Sequence, residues 1–445
     1  MHRSRKRIAR FTGVLGALAL VAAACGPADD EAVDGPEDEP AEALPEIPEE
    51  GVFEDSLDYG LIYDQTGPTT DTQVPFANGV RAALEAANRD GGIHGREINI
   101  IDEDEEYDAA VGAAAFERLV HDRPVVGMTA LNNSAFADTV IEDVDPSGVP
   151  VVGAQATIRT SVNPMRENFF ALQCPYPDQI DVHLSYLMAQ VDDYEPSVVT
   201  FVGDVASGHE YGELTEARVE QAGGEYLGHF AVPYDAADAD AQAREIEELD
   251  PDIIVMHGGV GTAIASLRSL ETFGVTDTPV GAIFAQKNPA IMEAVPALAD
   301  VYSAVHCYRA ADDPDVDDDM RDQMISDAEE IGVDEDMYMT SDFADGYVSG
   351  LVAVEGLERA GENLSRESFR EALEGIENFE TGGLAPPITF GPDDRIGVET
   401  VIPFVWDQEQ ETFVSEGSFA DFEDCVVHEY VTESIEDWDP RCYTP

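Results

Sequence analysis

The sequence predicts an α/β protein built as two doubly wound parallel-sheet lobes. Three observations carry that expectation. Short, wholly apolar runs alternate with amphipathic segments of helical period, which is how a parallel sheet covered on both faces reads. The alternation passes through four strands, stops near residue 175 and starts again. Roughly 370 residues take part, too many for one hydrophobic core and natural for two.

The N-terminal segments stand apart by composition. MHRSRKRIAR carries five basic side chains and no acid, and Phe11 to Ala24 is almost wholly apolar. A basic stretch, about fourteen apolar residues and small residues before a break form the pattern of a secretory signal. A bilayer-spanning helix needs about 20 apolar residues. Small residues at Ala22-Ala23-Ala24 ahead of Cys25 resemble the lipobox of bacterial lipoproteins, in which the thiol is acylated and becomes the mature N-terminus. Residues 1–24 are thus expected to be a signal peptide and Cys25 a lipid anchor. Residues 25–50, acidic, rich in Pro and Ala and without aromatics, are expected to be a tether. The body is expected to be exported and held at the outer face of a bacterial cell membrane.

Charge and cysteine usage agree with an extracellular setting. Loss of residues 1–24 leaves 18 Lys+Arg facing 93 Asp+Glu, a net charge of −75, with Lys287 the only lysine. The acids are spread along the chain, as on a solvated surface adapted to high external salt, where screening suppresses self-repulsion. Without a basic patch, nucleic acid is excluded as a partner. Lipid on Cys25 leaves Cys174, Cys307, Cys425 and Cys442, an even number available for disulfides.

In chain order, LDYGLIY, EINIID, PVVGMTA and VPVVGA read as strands. FANGVRAALEAANRD, DAAVGAAAFERLVHD and AFADTVIEDVD between them read as helices. After residue 175 the strands are SVVTFVGD, EYLGHFAV, DIIVMHG and PVGAIFA, separated by DQIDVHLSYLMAQVDD, YGELTEARVEQAGG, ADAQAREIEEL and GTAIASLRSLETFG as helices. The strand VYSAVHCYRA is followed by helices only, DDDMRDQMISDAEEIG, SDFADGYVSGLVAVEGLERAG and SRESFREALEGI. GGLAPPITFG and the paired strands of TVIPFVWDQEQETFV end the pattern. That asymmetry implies a chain that returns to the first lobe and later crosses once more.

YDQTGPTTDT with ANGVRAALEAANRDGGIHGREINIIDED resembles the start of branched-chain amino-acid type substrate-binding proteins of ABC transporters. VVGMTALNNSA, VPVVGAQAT, NPMRENFFALQ, EYGELTEARVEQAGG, ELDPDIIVMHGGVG and GGLAPPITFGPDDRIGVETVIPFVWD continue the match over about residues 56 to 415. The resemblance implies the type I periplasmic binding fold, two lobes joined by a three-crossing hinge and closing on a small solute. Lobe 1 would comprise 51–174 and 307–388, lobe 2 would comprise 175–306 and 389–425, and 426–445 would form a C-terminal tail. Cys174 and Cys307 then fall on neighbouring crossings, so the resemblance implies a Cys174–Cys307 bridge, with Cys425–Cys442 closing the tail.

Ligands of doubly wound sheets bind where strands end and helices begin. There the loops TGPTTDT, LNNS, QATIRT, GDVASGHEYG, HGGVGT and FAQKN supply hydroxyls, amides and glycines. Transferred by position, the first lobe offers Thr72, Asn132, Asn133, Gln155, Ala156 and Thr157. The second offers Tyr211, whose ring could close over a ligand, with Gly259, Val260 and Gln286. Helix capping is the competing role of the Ser, Thr and Asn residues. Two departures bear on the ligand. Ile283-Phe284-Ala285-Gln286 lacks the acid that meets an amino acid's ammonium group, and Val260 replaces an aromatic. Lys287 either faces the cleft, offsetting an anion or nearby acids, or forms a surface ion pair, the commoner arrangement.

Rival chemistries find little support. GGVGTA has Ile264 where a dinucleotide fingerprint needs a third small residue. DDPDVDDDMRD lacks the turn glycine and terminal glutamate of a calcium loop. No HExxH, zinc-spaced Cys/His set or GxSxG elbow occurs. The sequence reads as a solute receptor, not an enzyme, with no cofactor. Its partners would be a small polar solute, an amino acid of the branched-chain type or a related amide or carboxylate, and the membrane subunits of an ABC permease, and it would act as a monomer. A sensor ectodomain of the same fold comes second and an exported hydrolase third.

Overall fold

The computed structural model describes residues 50–443, except 157, 192, 193 and 235. Cys25, the signal segment and the tether lie outside the described residues.

The chain forms two lobes, each with its own sheet. The first sheet holds β1 (Ser56–Tyr63), β2 (Glu97–Asp104), β3 (Gly127–Thr129), β4 (Val151–Ala154) and β5 (Phe169–Ala171), all parallel, in the order β2-β1-β3-β4-β5. The second holds β6 (Ser197–Gly203), β7 (Glu225–Val232), β8 (Ile253–His257), β9 (Val280–Ala282) and β10 (Tyr302–His306), which are parallel. Two antiparallel strands, β11 (Ile402–Asp407) and β12 (Thr412–Ser415), extend it, giving the order β12-β11-β10-β9-β8-β6-β7. The apolar runs become strands because both faces are covered by helices. Residues 57–62 of β1 are all buried although alternate side chains face opposite ways.

Two elements differ from the sequence expectation in ways that shape the cleft. The strand expected over 279–285 stops at Ala282, because Phe284–Gln286 turn into a 3₁₀ segment. The first helix begins at Thr70, not near Phe76, which puts Thr72 and Gln73 in its first turn.

The chain passes between the lobes three times. It leaves β5 through Cys174 into the helix Tyr176–Gln190, and it returns from β10 through Cys307. The third passage joins Ile396, bridged to Ala171, with β11. A disulfide links Cys174 to Cys307, with Cα atoms 6.1 Å apart, and the Tyr308 hydroxyl donates to the Leu172 carbonyl at 2.5 Å. A second disulfide joins Cys425 to Cys442.

In lobe 1 the helices Thr70–Arg89 and Ser341–Arg359 cross in close contact. A Cβ at Gly346 would collide with the Phe76 carbonyl, and one at Gly79 with the Phe343 carbonyl, so the backbones meet where neither helix has a side chain. The C-terminal segment lies across both lobes. Arg218, fully buried, pairs with Asp181 at 2.8 Å and with Glu429, whose other oxygen pairs with Arg159 of lobe 1 at 2.6 Å. Asn163 of lobe 1 donates to the Tyr430 carbonyl at 3.1 Å, and the Trp438 indole donates to the Asp181 carbonyl at 3.3 Å. Among the described residues no helix is long and apolar enough to cross a membrane.

Candidate ligand site between the lobes

The cleft is built from the carboxyl ends of both sheets. From lobe 1, Asp64 at the end of β1 accepts from the Gly67 amide at 2.5 Å and from the Thr69 amide and hydroxyl at 2.8 and 2.7 Å. Asp64 thus holds Gly67 and Thr69 at the start of the following helix, while Asp104 accepts from the Thr66 hydroxyl at 2.8 Å. Thr69, Thr72 and Gln73 line the cavity from there. Tyr107 comes from the loop after β2, Asn132 and Ser134 from the loop after β3, and Gln155 from just beyond β4.

Lobe 2 closes the other side. Tyr176 and Ser207 lie at the starts of their helices, Tyr234 follows β7, and His257 ends β8. Gly258 and Gly259 lead into the helix Val260–Phe273, and Ile283 to Ala285 follow β9. Gly258 has φ +149, a conformation that side chains rarely adopt, and the Gln286 amide lies 3.4 Å from where its Cβ would be. The lobes touch across the gap. The Tyr107 and Tyr234 rings stack with centroids 5.3 Å apart, and the Ser134 and Ser207 hydroxyls are 3.1 Å apart.

The cavity is about 50 Å³ and partly open to solvent. At about 10–15 Å³ per water-sized group, it holds roughly three to five such groups. Among the described residues no Asp, Glu, Lys or Arg lines it. Burial pushes the His257 imidazole down to about 3, so it is neutral at ordinary pH. Several lining atoms have no partner within the protein: both amide atoms of Asn132, Oε1 of Gln73 and both ring nitrogens of His257. An unpaired buried polar atom costs about 1–3 kcal/mol, so the lining is incomplete without a polar guest.

Of the residues proposed from sequence, Thr72, Asn132, Gln155 and Gly259 line this cavity. The others named there stand behind its wall or outside the described residues. Asn133 caps the helix Ser134–Ser147 through the amides of Ala135 and Phe136, and its Nδ2 donates to Glu105 at 2.9 Å. Ala156 is buried, with its amide bonded to the Leu131 carbonyl. Tyr211 does not close over the cleft. It is fully buried, packed against Tyr176 and His257 at centroid distances of 5.8 and 5.4 Å. Val260 opens its helix and is buried, and Gln286 is fully buried behind Gly258. Thr157 lies outside the described residues.

Lys287 does not line this cavity and is not on the surface, but it lies near the acids Asp313 and Asp342. It is only 8 % exposed, donates to the Ser341 hydroxyl and places Nζ 3.8 Å from the centroid of the Phe404 ring. Burial lowers its pKa to about 8, against the pull of Asp313 and Asp342. The lining residues that sequence reasoning did not single out include Gln73, Tyr107, Tyr176, Tyr234 and His257. His257 and Ser207 fell within loops recognised at strand ends, whereas Tyr107 and Tyr234 carry no local signal.

Two lobes wound alike, with a polar cavity at facing strand ends, define a hinged solute-binding architecture. Solved structures share it. A fatty acid ABC transporter substrate-binding protein from Thermomonospora curvata superposes with a TM-score of 0.74 at 17% identity, covering 83% of this chain and 93% of that one. A branched-chain amino acid ABC transporter protein from Thermus thermophilus with bound valine gives 0.72 at 17% identity, covering 82% and 95%. A solute binding protein from R. palustris in complex with benzoate gives 0.70 at 15% identity, covering 82% and 96%. No curated protein matches the sequence. Residues 58–411 match the family model described as periplasmic binding protein, and the chain belongs to that family.

Proposed function

We propose that this protein is the extracytoplasmic receptor of an ABC importer, capturing a small polar solute by closure of its two lobes. The observation that carries the reading is the cavity itself. It sits at the strand ends of both sheets and offers unpartnered polar atoms from each lobe, Asn132 and Gln73 on one side and His257 on the other. The similar structures hold or are named for valine, benzoate and a fatty acid, so one architecture serves several solutes and the lining decides which. The ten residues transferred from the resemblance form two groups on this reading. Thr72, Asn132, Gln155 and Gly259 touch the solute, and most of the others support the wall from behind. Closure is driven by the solute's greater affinity for the closed form. The lipid on Cys25 and the acidic tether keep the receptor near the permease, which recognises the closed lobes.

A melting-temperature screen of the purified chain against amino acids, amides, carboxylates and sugars tests the reading. At about 100 times its Kd a solute adds about 2.7 kcal/mol to stability. A solute class that raises the midpoint, with the rise lost in Asn132→Leu, supports a receptor. A chain that no solute stabilises is not one.

A further inference from the structure

The next step rests on the receptor reading and narrows its solute. The cavity's polar surface consists of neutral amides, hydroxyls and one imidazole, with no charged side chain among the described lining residues. The buried acids Asp64, bonded to Thr69, Asp345, bonded to Gln155, and Glu105, bonded to Asn133, do not line the space. An ammonium held there would have no counter-charge, and an unpaired buried ion is far more costly than an unpaired dipole. The room available, about 50 Å³, suits a solute of very few heavy atoms.

The direction of one hydrogen-bonding group is fixed from a distance. Asp345 is 1 % exposed, and its Oδ2 accepts from Nε2 of Gln155 at 2.8 Å and from Nε2 of Gln173 at 3.1 Å. With that nitrogen committed, Gln155 turns Oε1 the other way, where it accepts from Nε2 of Gln73 at 2.7 Å. Both amides are thereby oriented, and Gln73 is left with an unpartnered acceptor, Oε1, at the cavity. An amide free to flip would offer a donor or an acceptor with equal ease. This one is held with Oε1 as its unpartnered atom, one Nε2 hydrogen being spent on Gln155. Asn132 adds a free donor and a free acceptor beside it.

We propose that the Asp345–Gln155–Gln73 relay sets the polarity of the cavity, which thereby selects a compact uncharged solute that donates N–H and accepts at a carbonyl, a short carboxamide or urea. Gln73 and Asn132 touch the solute, and Asp345 is a positioning residue acting through Gln155. Amino acids of the same size are rejected because their ammonium group meets only dipoles, and carboxylates because they bring no donor to Oε1 of Gln73.

Calorimetric titration of the purified chain with acetamide, urea, acetate, glycine and valine tests this. Acetamide or urea is expected to bind at least about tenfold more tightly than acetate or glycine, a difference of about 1.4 kcal/mol. Gln73→Met is expected to weaken amide binding by about tenfold. Asp345→Leu is expected to reduce the preference for acetamide over acetate, and Asp345→Asn, whose carbonyl can accept both glutamine amides, to restore it. A purely structural role for Asp345 would change stability and leave the preference intact. If Asp345→Leu does not fold, Gln155→Met cuts the same relay and is read in the same way. Acetate, glycine or valine binding as tightly as the amides overturns the inference and leaves the receptor reading standing. Failure of all five to bind also overturns it, and the broader melting screen then decides the receptor reading separately.

Discussion

At the scale of single residues, Glu105 shows how burial couples stability to pH. It is 1 % exposed, with Oε2 accepting from Asn133 and Oε1 unpartnered, and burial raises its pKa to about 8. A carboxyl whose folded pKa lies above its unfolded value holds a proton in the native state that the unfolded chain has lost. Its contribution is therefore fully present below the unfolded value and is lost as pH rises through about 8. Glu105→Gln replaces the acid with a permanently neutral group of like shape. Chemical denaturation at pH 5 and pH 9 is expected to show a smaller loss of stability over that interval in the variant. An unchanged difference would mean that Glu105 titrates normally. Residue-scale chemistry of this kind was only partly legible in the sequence. Asn132 and Gln155 could be placed because they follow apolar runs ending in polar loops. Tyr107 and Tyr234 could not, since their stacking depends on how two lobes meet.

At the scale of elements, the crossing of helices Thr70–Arg89 and Ser341–Arg359 is the most constrained contact in lobe 1. The glycine at 346 leaves no room for a methyl group against the Phe76 carbonyl. Gly346→Ala forces the helices apart and is expected to destabilise by about 1–3 kcal/mol, as overpacking does. A thermal melt that matches the parent would show that the crossing relaxes without cost. The helices and strands themselves were readable because their periodicity is local: LDYGLIY and EINIID lie within strands, and DIIVMHG overruns its strand by one residue at each end. Where the reading ran past an element, tertiary contacts decided. PVGAIFA loses its last residues from the strand to a turn that faces the cleft. Helix Tyr176–Gln190 buries Asp178, Asp181 and His183, which no amphipathic pattern announces, because the sheet covers one side and the C-terminal segment another.

At the scale of the whole molecule, charge dominates. The chain carries a formal net charge of −70, and its buried arginines Arg218, Arg309 and Arg395 are already paired. Raising salt from 0.1 to 1 M shortens the screening length from about 10 Å to about 3 Å. The melting midpoint is expected to rise over that range as self-repulsion is screened. A fall would show that surface ion pairs outweigh it. Two lobes were legible from the repeat of the strand and helix pattern. The site of the third passage, near Ile396, and the course of the C-terminal segment over both lobes were not, because each depends on partners far away in sequence.

The bond between Cys174 and Cys307 has a further consequence. These residues are 133 positions apart, and the chain between them contains β6 to β10. That stretch is a covalent ring that departs from the hinge and comes back to it at the same point. A single protease cut anywhere from 175 to 306 opens the ring without releasing a fragment, so the nicked molecule keeps its mass until a reductant is added. In the exposed loops of the second lobe, where such cuts fall first, the protein tolerates damage that would sever an unbridged relative in two.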